Sequence, residues 1–220
     1  MKAKYIIFDL DDTLMYEIEY LKSAYRAIAE ILDSDKKEAL FHEMIALYNA
    51  EEDVFNVLVG MYPDYSKNSL LDIYRNHFPN IRLNNEVEYL LNYCKKSNYK
   101  LGLITDGRSI TQRNKLKALG IENLFDKIII SEELGSSKPD ERNFTFFLEE
   151  QACEYFYIAD NVKKDFITPN KLGWTTVCLL DSGKNIHPQN FNISEEYLPK
   201  FRINKIIELK ILIQNTNSII

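Results

Sequence analysis

Three aspartates, Asp9, Asp11 and Asp12, crowd the end of the chain's first apolar run, Tyr5-Ile6-Ile7-Phe8. That run is rich in β-branched and aromatic residues and reads as a short buried strand. Aspartate is a poor strand residue, and burying its charge is costly, so carboxylates gathered at a strand end call for a compensating cation. Converging carboxylate oxygens are what a hard divalent ion such as Mg²⁺ requires. Asp9 and Asp11 also suit two chemical jobs. One carboxylate can act as a nucleophile while the next serves as general acid and then general base. The same Asp-Asp-Thr stretch is also compatible with a plain Asx turn.

Other groups of the right chemistry stand at the ends of later apolar runs. Asp160 follows Tyr155–Ala159 and can complete a cation site with Asp9. Asp165, five residues on, either orients a metal-bound water or complements a helix dipole. Thr105 follows Leu101–Ile104, and its hydroxyl with the amides of Asp106 and Gly107 forms a natural anion seat at a strand-to-helix junction. Lys138, in Ser136-Ser137-Lys138-Pro139-Asp140, is either a fixed positive charge at the site or a solvated surface lysine. Together these groups supply the nucleophile, acid/base, cation and oxyanion donors that phosphoryl transfer needs.

The elements that must position them alternate along the chain. Apolar strands are expected at 5–8, 101–104, 128–130, 155–159 and 175–180, separated by helical patterns from Asn85 onward. Apolar strands alternating with helices imply an α/β fold, a doubly wound parallel sheet covered on both faces with its crevice beyond the carboxyl ends of the strands. Asp9, Thr105, Ser131 and Asp160 would all meet at that edge. Ser109 with Gln112 reads as a capping box opening the next helix, which Gly120 closes. After Pro139 a helix carries Phe144, Phe147 and Leu148, and Ile203 to Ile213 reads as a closing helix. Between Leu14 and Ile81 only helical periodicity occurs: Ile18 to Leu32, Leu40 to about Gly60, and Ser69 to Phe78. Residues 15–81 are therefore expected to be an all-helical insertion, with 1–14 and 82–220 forming the core.

The set Asp9-x-Asp11-x-Thr13, Thr105, Lys138-Pro139 and Asp160-Asn161-x-x-x-Asp165 resembles the four motifs of the haloacid dehalogenase-like hydrolases, in order and over nearly the whole chain. The resemblance implies a Rossmann-like core with a helical cap inserted after the first motif, and an aspartyl-phosphate mechanism with Mg²⁺. On it, Asp9 is the nucleophile and Asp11 the acid/base. Thr105 and Lys138 bind the phosphoryl group, and Asp9, the Asp11 carbonyl and Asp160 hold the metal, with Asp165 nearby. Ala159 stands where the family often has Gly, and Asp106 where it often has Asn. A carboxylate there would repel a phosphate dianion unless it points away.

The leading expectation is a Mg²⁺-dependent phosphatase of a small phosphorylated metabolite: a sugar phosphate, a phosphoglycolate-like acid or a nucleotide. A phosphomutase or dehalogenase would share the motifs, although a second acid at Asp11 favours phosphoryl chemistry. A phospho-accepting receiver module also uses a doubly wound sheet, aspartates and a lysine, but the helical insertion and the Asp-x-Asp spacing argue against it. In the insertion, Tyr16, Lys22, Arg26, His42, Tyr48, Arg75 and His77 can meet a substrate or simply pack. The net charge of −6 disfavours nucleic acid as a partner. No apolar run is long enough to span a membrane. Three scattered cysteines point to a reducing, cytoplasmic setting, and no pattern specifies an oligomeric state.

Overall fold

The computed structural model describes residues 3–149 and 151–215 of the 220; residues 1–2, 150 and 216–220 of the expected core segments lie outside it. β1 (Ala3–Phe8) opens the chain and is followed by four helices: α1 (Glu17–Leu32), α2 (Lys37–Asn49), α3 (Val54–Met61) and α4 (Lys67–Asn76). Then come α5 (Asn85–Lys96), β2 (Lys100–Thr105), α6 (Ser109–Leu119), β3 (Lys127–Ile130), α7 (Ser131–Leu134) and α8 (Arg142–Thr145). β4 (Cys153–Ala159), α9 (Ile167–Lys171), β5 (Thr175–Leu179), β6 (Phe201–Ile203) and α10 (Leu209–Asn215) complete it.

The six strands form one parallel sheet in the order β3-β2-β1-β4-β5-β6. The chain winds outward from β1 through β2 to β3, then returns to β4 and winds the other way. The switch point therefore lies between β1 and β4, where Phe8 stands opposite Ile158. Asp9 and Asp160 flank it, and a crevice at that place is where open α/β sheets bind ligands.

Both faces of the sheet are covered. Along β1, Ile6 and Phe8 join one apolar cluster, with Leu90, Leu91, Leu116 and Leu209, while Tyr5 and Ile7 join the other, with Phe144, Phe147, Phe166 and Trp174. Strands buried on both faces are apolar throughout, which is why they read as unbroken runs. Gly102 on β2 is required by this packing, because a Cβ there would stand 2.5 Å from the Phe147 ring. A third cluster lies among the four helices before α5, built from Leu21, Tyr25, Ile28, Leu40, Met44, Leu58 and Leu70.

Several local expectations change. The second helical stretch is two helices: Glu51 adopts φ 58, and the Asp53 side chain caps α3 by accepting from the Asn56 amide. Ser109 and Gln112 do not form a capping box; Arg108 is the N-cap residue, without a side-chain bond, and Gln112 turns to other partners. The helix after Pro139 is a single turn, Arg142–Thr145, which carries Phe144 and ends before Phe147 and Leu148. Ile203 ends a sixth strand rather than starting a helix. Phe201 and Ile203 pair with Val177 and Leu179 of β5, and the alternation of so short a strand is hidden beside the helical apolar positions that follow.

Candidate active site

Asp9, Asp11, Asp12, Glu17, Thr105, Asp106, Asp160, Asn161, Lys164 and His187 line a cavity of about 130 Å³ at the carboxyl ends of β1, β2 and β4. Asp9 is buried at its centre. The Asp9 amide donates to the Ile158 carbonyl at 2.9 Å, which fixes the carboxylate beside β4. Its Oδ1 accepts from the Leu10 amide at 2.8 Å and lies 2.9 Å from Lys138 Nζ.

Lys138 is fully buried and shared: its Nζ is also 2.7 Å from Asp165 Oδ1 and 3.3 Å from the Tyr157 hydroxyl. Burial works against its charge, but Asp165 and Asp9 outweigh that, and its pKa rises well above the usual lysine range. Lys138 is thus a permanent cation under the site rather than a solvated one. Asp165 does not cap a helix. It receives the Asn161 amide at 3.0 Å and the Tyr157 hydroxyl at 3.2 Å, and so ties the turn after β4 to Lys138.

Oxygens of Asp9, Asp160 and Asp165 lie within 4.8 Å of one another. Burial, opposed by Lys138, pushes the Asp9 carboxyl up to about 7. Burial and then the charges of Asp9 and Asp165 push Asp160 up to about 9. Three carboxylates this close, two of them with pKa values raised chiefly by burial, form a donor set that suits a hard divalent cation. Asp160 Oδ2 is oriented by Asn185 Nδ2 at 3.0 Å. The Asp11 side chain is not part of this group; it turns toward α6.

There it meets Lys115, which the sequence reading missed, and Gln112, which it assigned to a cap. Lys115 Nζ lies 2.6 Å from Asp11 Oδ1, and Gln112 Nε2 donates to Asp11 Oδ2 at 3.0 Å and to the Asp106 carbonyl at 2.7 Å. Gly107, at φ 141, makes this reach possible, since a Cβ there would stand 2.8 Å from Gln112 Nε2. Asp12, at φ 54, accepts from the amides of Glu17 at 2.8 Å and Ile186 at 3.1 Å, which pins the start of α1 and the loop after β5 to the site.

Among the described residues the buried Thr105 hydroxyl has no hydrogen-bond partner, and its chemistry suits a ligand oxygen. The Gly107 amide, expected beside it as an anion donor, instead donates to Ser131 Oγ at 2.9 Å. The Asp106 carboxylate is engaged on both oxygens at the cavity wall: Oδ1 accepts from the Lys138 amide at 3.1 Å and Oδ2 from Lys164 Nζ at 2.8 Å.

Several substrate candidates in the insertion are occupied elsewhere. Arg26 pairs with Glu38 at 2.7 Å and stacks on Phe41. His77 bonds the Tyr74 carbonyl and Ser23 Oγ, and His42 packs on Phe41. Lys22 pairs with Glu19, and the Tyr16 ring lies under Lys184.

A family model described as haloacid dehalogenase-like hydrolase matches residues 6–179. A glyceraldehyde 3-phosphate phosphatase of Methanocaldococcus jannaschii is 31% identical to this chain, over 96% of it and 97% of the relative. Another protein of that name, from Methanopyrus kandleri, is 27% identical, with 94% and 95% covered. The HAD-hydrolase YfnB of Bacillus subtilis, solved bound to magnesium, has the same fold: its TM-score is 0.67 at 20% identity, over 96% of this chain and 99% of that one.

Proposed function

This chain belongs to the haloacid dehalogenase-like hydrolases as a phosphoric monoester hydrolase, and from that premise we propose that it dephosphorylates a small sugar phosphate through an aspartyl-phosphate intermediate. One observation carries the reading. Asp9, Asp11, Asp160 and the unpartnered Thr105 hydroxyl share one small cavity, with the Lys138 ammonium against Asp9. The names of the curated relatives support a triose phosphate.

In the first step an Asp9 oxygen attacks phosphorus while Asp11 protonates the departing oxygen. Thr105 and Lys138 face the oxygens of the transferring group, where negative charge accumulates. In the second step Asp11 takes a proton from water as that water attacks the phosphorus of phospho-Asp9, releasing phosphate and restoring the carboxylate. Asp9 and Asp160, with the Asp11 carbonyl and Asp165 close by, would hold Mg²⁺, which when bound supplies charge neutralisation at the phosphoryl group. The same motifs also serve phosphomutases; water as acceptor is favoured by the relatives named as phosphatases.

Residues 15–81 act as a cap on this reading, supported by their own apolar cluster and by Glu17 reaching the cavity. Its three free cysteines support a reducing, cytoplasmic setting; among the described residues no helix is long and apolar enough to cross a membrane. The test is phosphate release from triose, pentose and hexose phosphates, nucleotides and phosphorylated acids, with Mg²⁺ and with EDTA. Best turnover of a short sugar phosphate that EDTA abolishes is the expected result; turnover of none would overturn the reading.

A further inference from the structure

Most carboxylates around the cavity have partners of their own. Asp9 has Lys138, Asp11 has Lys115 and Asp106 has Lys164. Asp160 groups with Asp9 and Asp165, and Asp12 is held by two amides. Glu17 differs. As the first residue of α1 it enters the cavity from the helical insertion, and among the described residues its carboxylate accepts no hydrogen bond and makes no ion pair. It is partly buried among like charges, so that desolvation and then Asp11 push its pKa up to about 7, with Lys115 opposing.

The same surroundings act on any substrate group placed beside Glu17. A second anionic group on the substrate would meet Glu17 and Asp11 at close range in a place shielded from water. Among the described residues, the lysines that reach the cavity's carboxylates, Lys115, Lys138 and Lys164, are each committed to one of them. His187, at the exposed rim, is the remaining basic side chain on the wall. A hydroxyl or hydrated aldehyde, by contrast, can donate to the Glu17 carboxylate and gain a charge-assisted hydrogen bond.

We infer that Glu17 is a specificity-determining residue that admits phosphomonoesters with an uncharged, hydroxyl-bearing leaving group and rejects phosphorylated acids of the same size. The inference rests on the phosphatase reading above. It is specificity by repulsion as well as by attraction.

Glyceraldehyde 3-phosphate and 3-phosphoglycerate share a carbon skeleton and differ in an aldehyde against a carboxylate, so their kcat/KM ratio isolates the effect. The wild-type protein with Mg²⁺ is expected to favour the aldehyde by about tenfold or more, given the strength of a like-charge contact at an effective dielectric near about 20. Glu17→Gln should lower that ratio by about fivefold to tenfold, chiefly through better use of the acid, and Glu17→Lys should lower it further. A second readout does not depend on turnover of the acid: 3-phosphoglycerate should inhibit p-nitrophenyl phosphate hydrolysis more tightly in Glu17→Gln than in wild type. That measurement carries the test if Glu17→Lys fails to fold. Unchanged ratio and inhibition in Glu17→Gln, or a wild-type preference for the acid, would overturn the role given to Glu17. Failure of wild type to release phosphate from any ester, p-nitrophenyl phosphate included, would instead overturn the phosphatase reading.

Discussion

The Lys115 ammonium sits 2.6 Å from Asp11 Oδ1 and 4.4 Å from the centre of the Tyr20 ring on α1. α6 therefore holds the proposed acid/base with one side chain and touches α1 with the same one. It also binds the end of α4: Thr111 donates to the Arg75 carbonyl at 2.9 Å, and Asn114 to the Asn76 and His77 carbonyls at 3.2 Å. Asp11 is thus coupled to the seating of α1 and α4 through one short helix.

Lys115→Met should misplace Asp11 without removing it. Turnover of alkyl phosphates, whose leaving oxygen needs a proton, is expected to fall by about 10²-fold, the range of general acid catalysis. p-Nitrophenyl phosphate, which needs little protonation, should fall far less, and Asp11→Asn should show the same contrast. The stability cost should be about 1–3 kcal/mol, below that of a fully buried pair because Asp11 opens on the cavity. A leaving-group series on both variants checks this; equal losses across the series would remove Asp11 from the acid role.

Asp9→Asn should lower turnover by a factor of about 10³ or more while the fold persists, because an amide keeps the shape but lacks the nucleophile. Lys138 retains Asp165 at 2.7 Å, so its charge is not left unpaired. Circular dichroism melting and p-nitrophenyl phosphate hydrolysis test the two halves of this statement. Near-normal hydrolysis would refute covalent catalysis by Asp9.

The pH behaviour of the metal-free protein follows from Asp9 and Asp160, held at about 7 and about 9 against an ordinary 3.8. The folded state binds these protons more tightly than the unfolded state. Their stabilising contribution is therefore full below about pH 4 and is lost as pH rises through the two folded values. A cation that replaces the protons should restore it. The melting temperature without metal is expected to fall from pH 6 to pH 9, and the gain from Mg²⁺ to be larger at pH 9. At a hundredfold excess over Kd the gain should approach about 2.7 kcal/mol. Equal gains at both pH values would contradict a site built from these carboxylates.

The strand ends were legible in the sequence because each buried strand is an apolar run that stops at Asp9, Thr105 or Asp160, and parallel topology brings those stops to one edge. Lys138 needed the fold to distinguish it from a surface lysine. Gln112 was misread for a physical reason: Ser-x-x-Gln fits a cap, but the positive φ at Gly107 lets the amide reach Asp106 and Asp11 instead. Glu17 was overlooked because an acid in a first helical turn is already favoured by the helix dipole. Asn185 lies in a polar loop without periodicity, so nothing local announced its bond to Asp160.

Asp106 gives the remaining prediction. Both of its oxygens are committed, one to the Lys138 amide and one to Lys164. In Asp106→Asn the carbonyl oxygen can still accept from the Lys138 amide, but the NH₂ group cannot receive the Lys164 ammonium. Lys164, on the cavity wall, is then released toward the phosphoryl seat. The variant is expected to keep kcat within about threefold, since the reacting groups are untouched, while KM and the inhibition constant of inorganic phosphate both fall. Asp106→Ala removes the bond to the Lys138 amide as well and should lower kcat, because the turn carrying Lys138 loses an anchor. Steady-state kinetics on the two variants separate these effects. A large loss of kcat in Asp106→Asn would mean that the pair with Lys164, rather than the bond to Lys138, holds the site together.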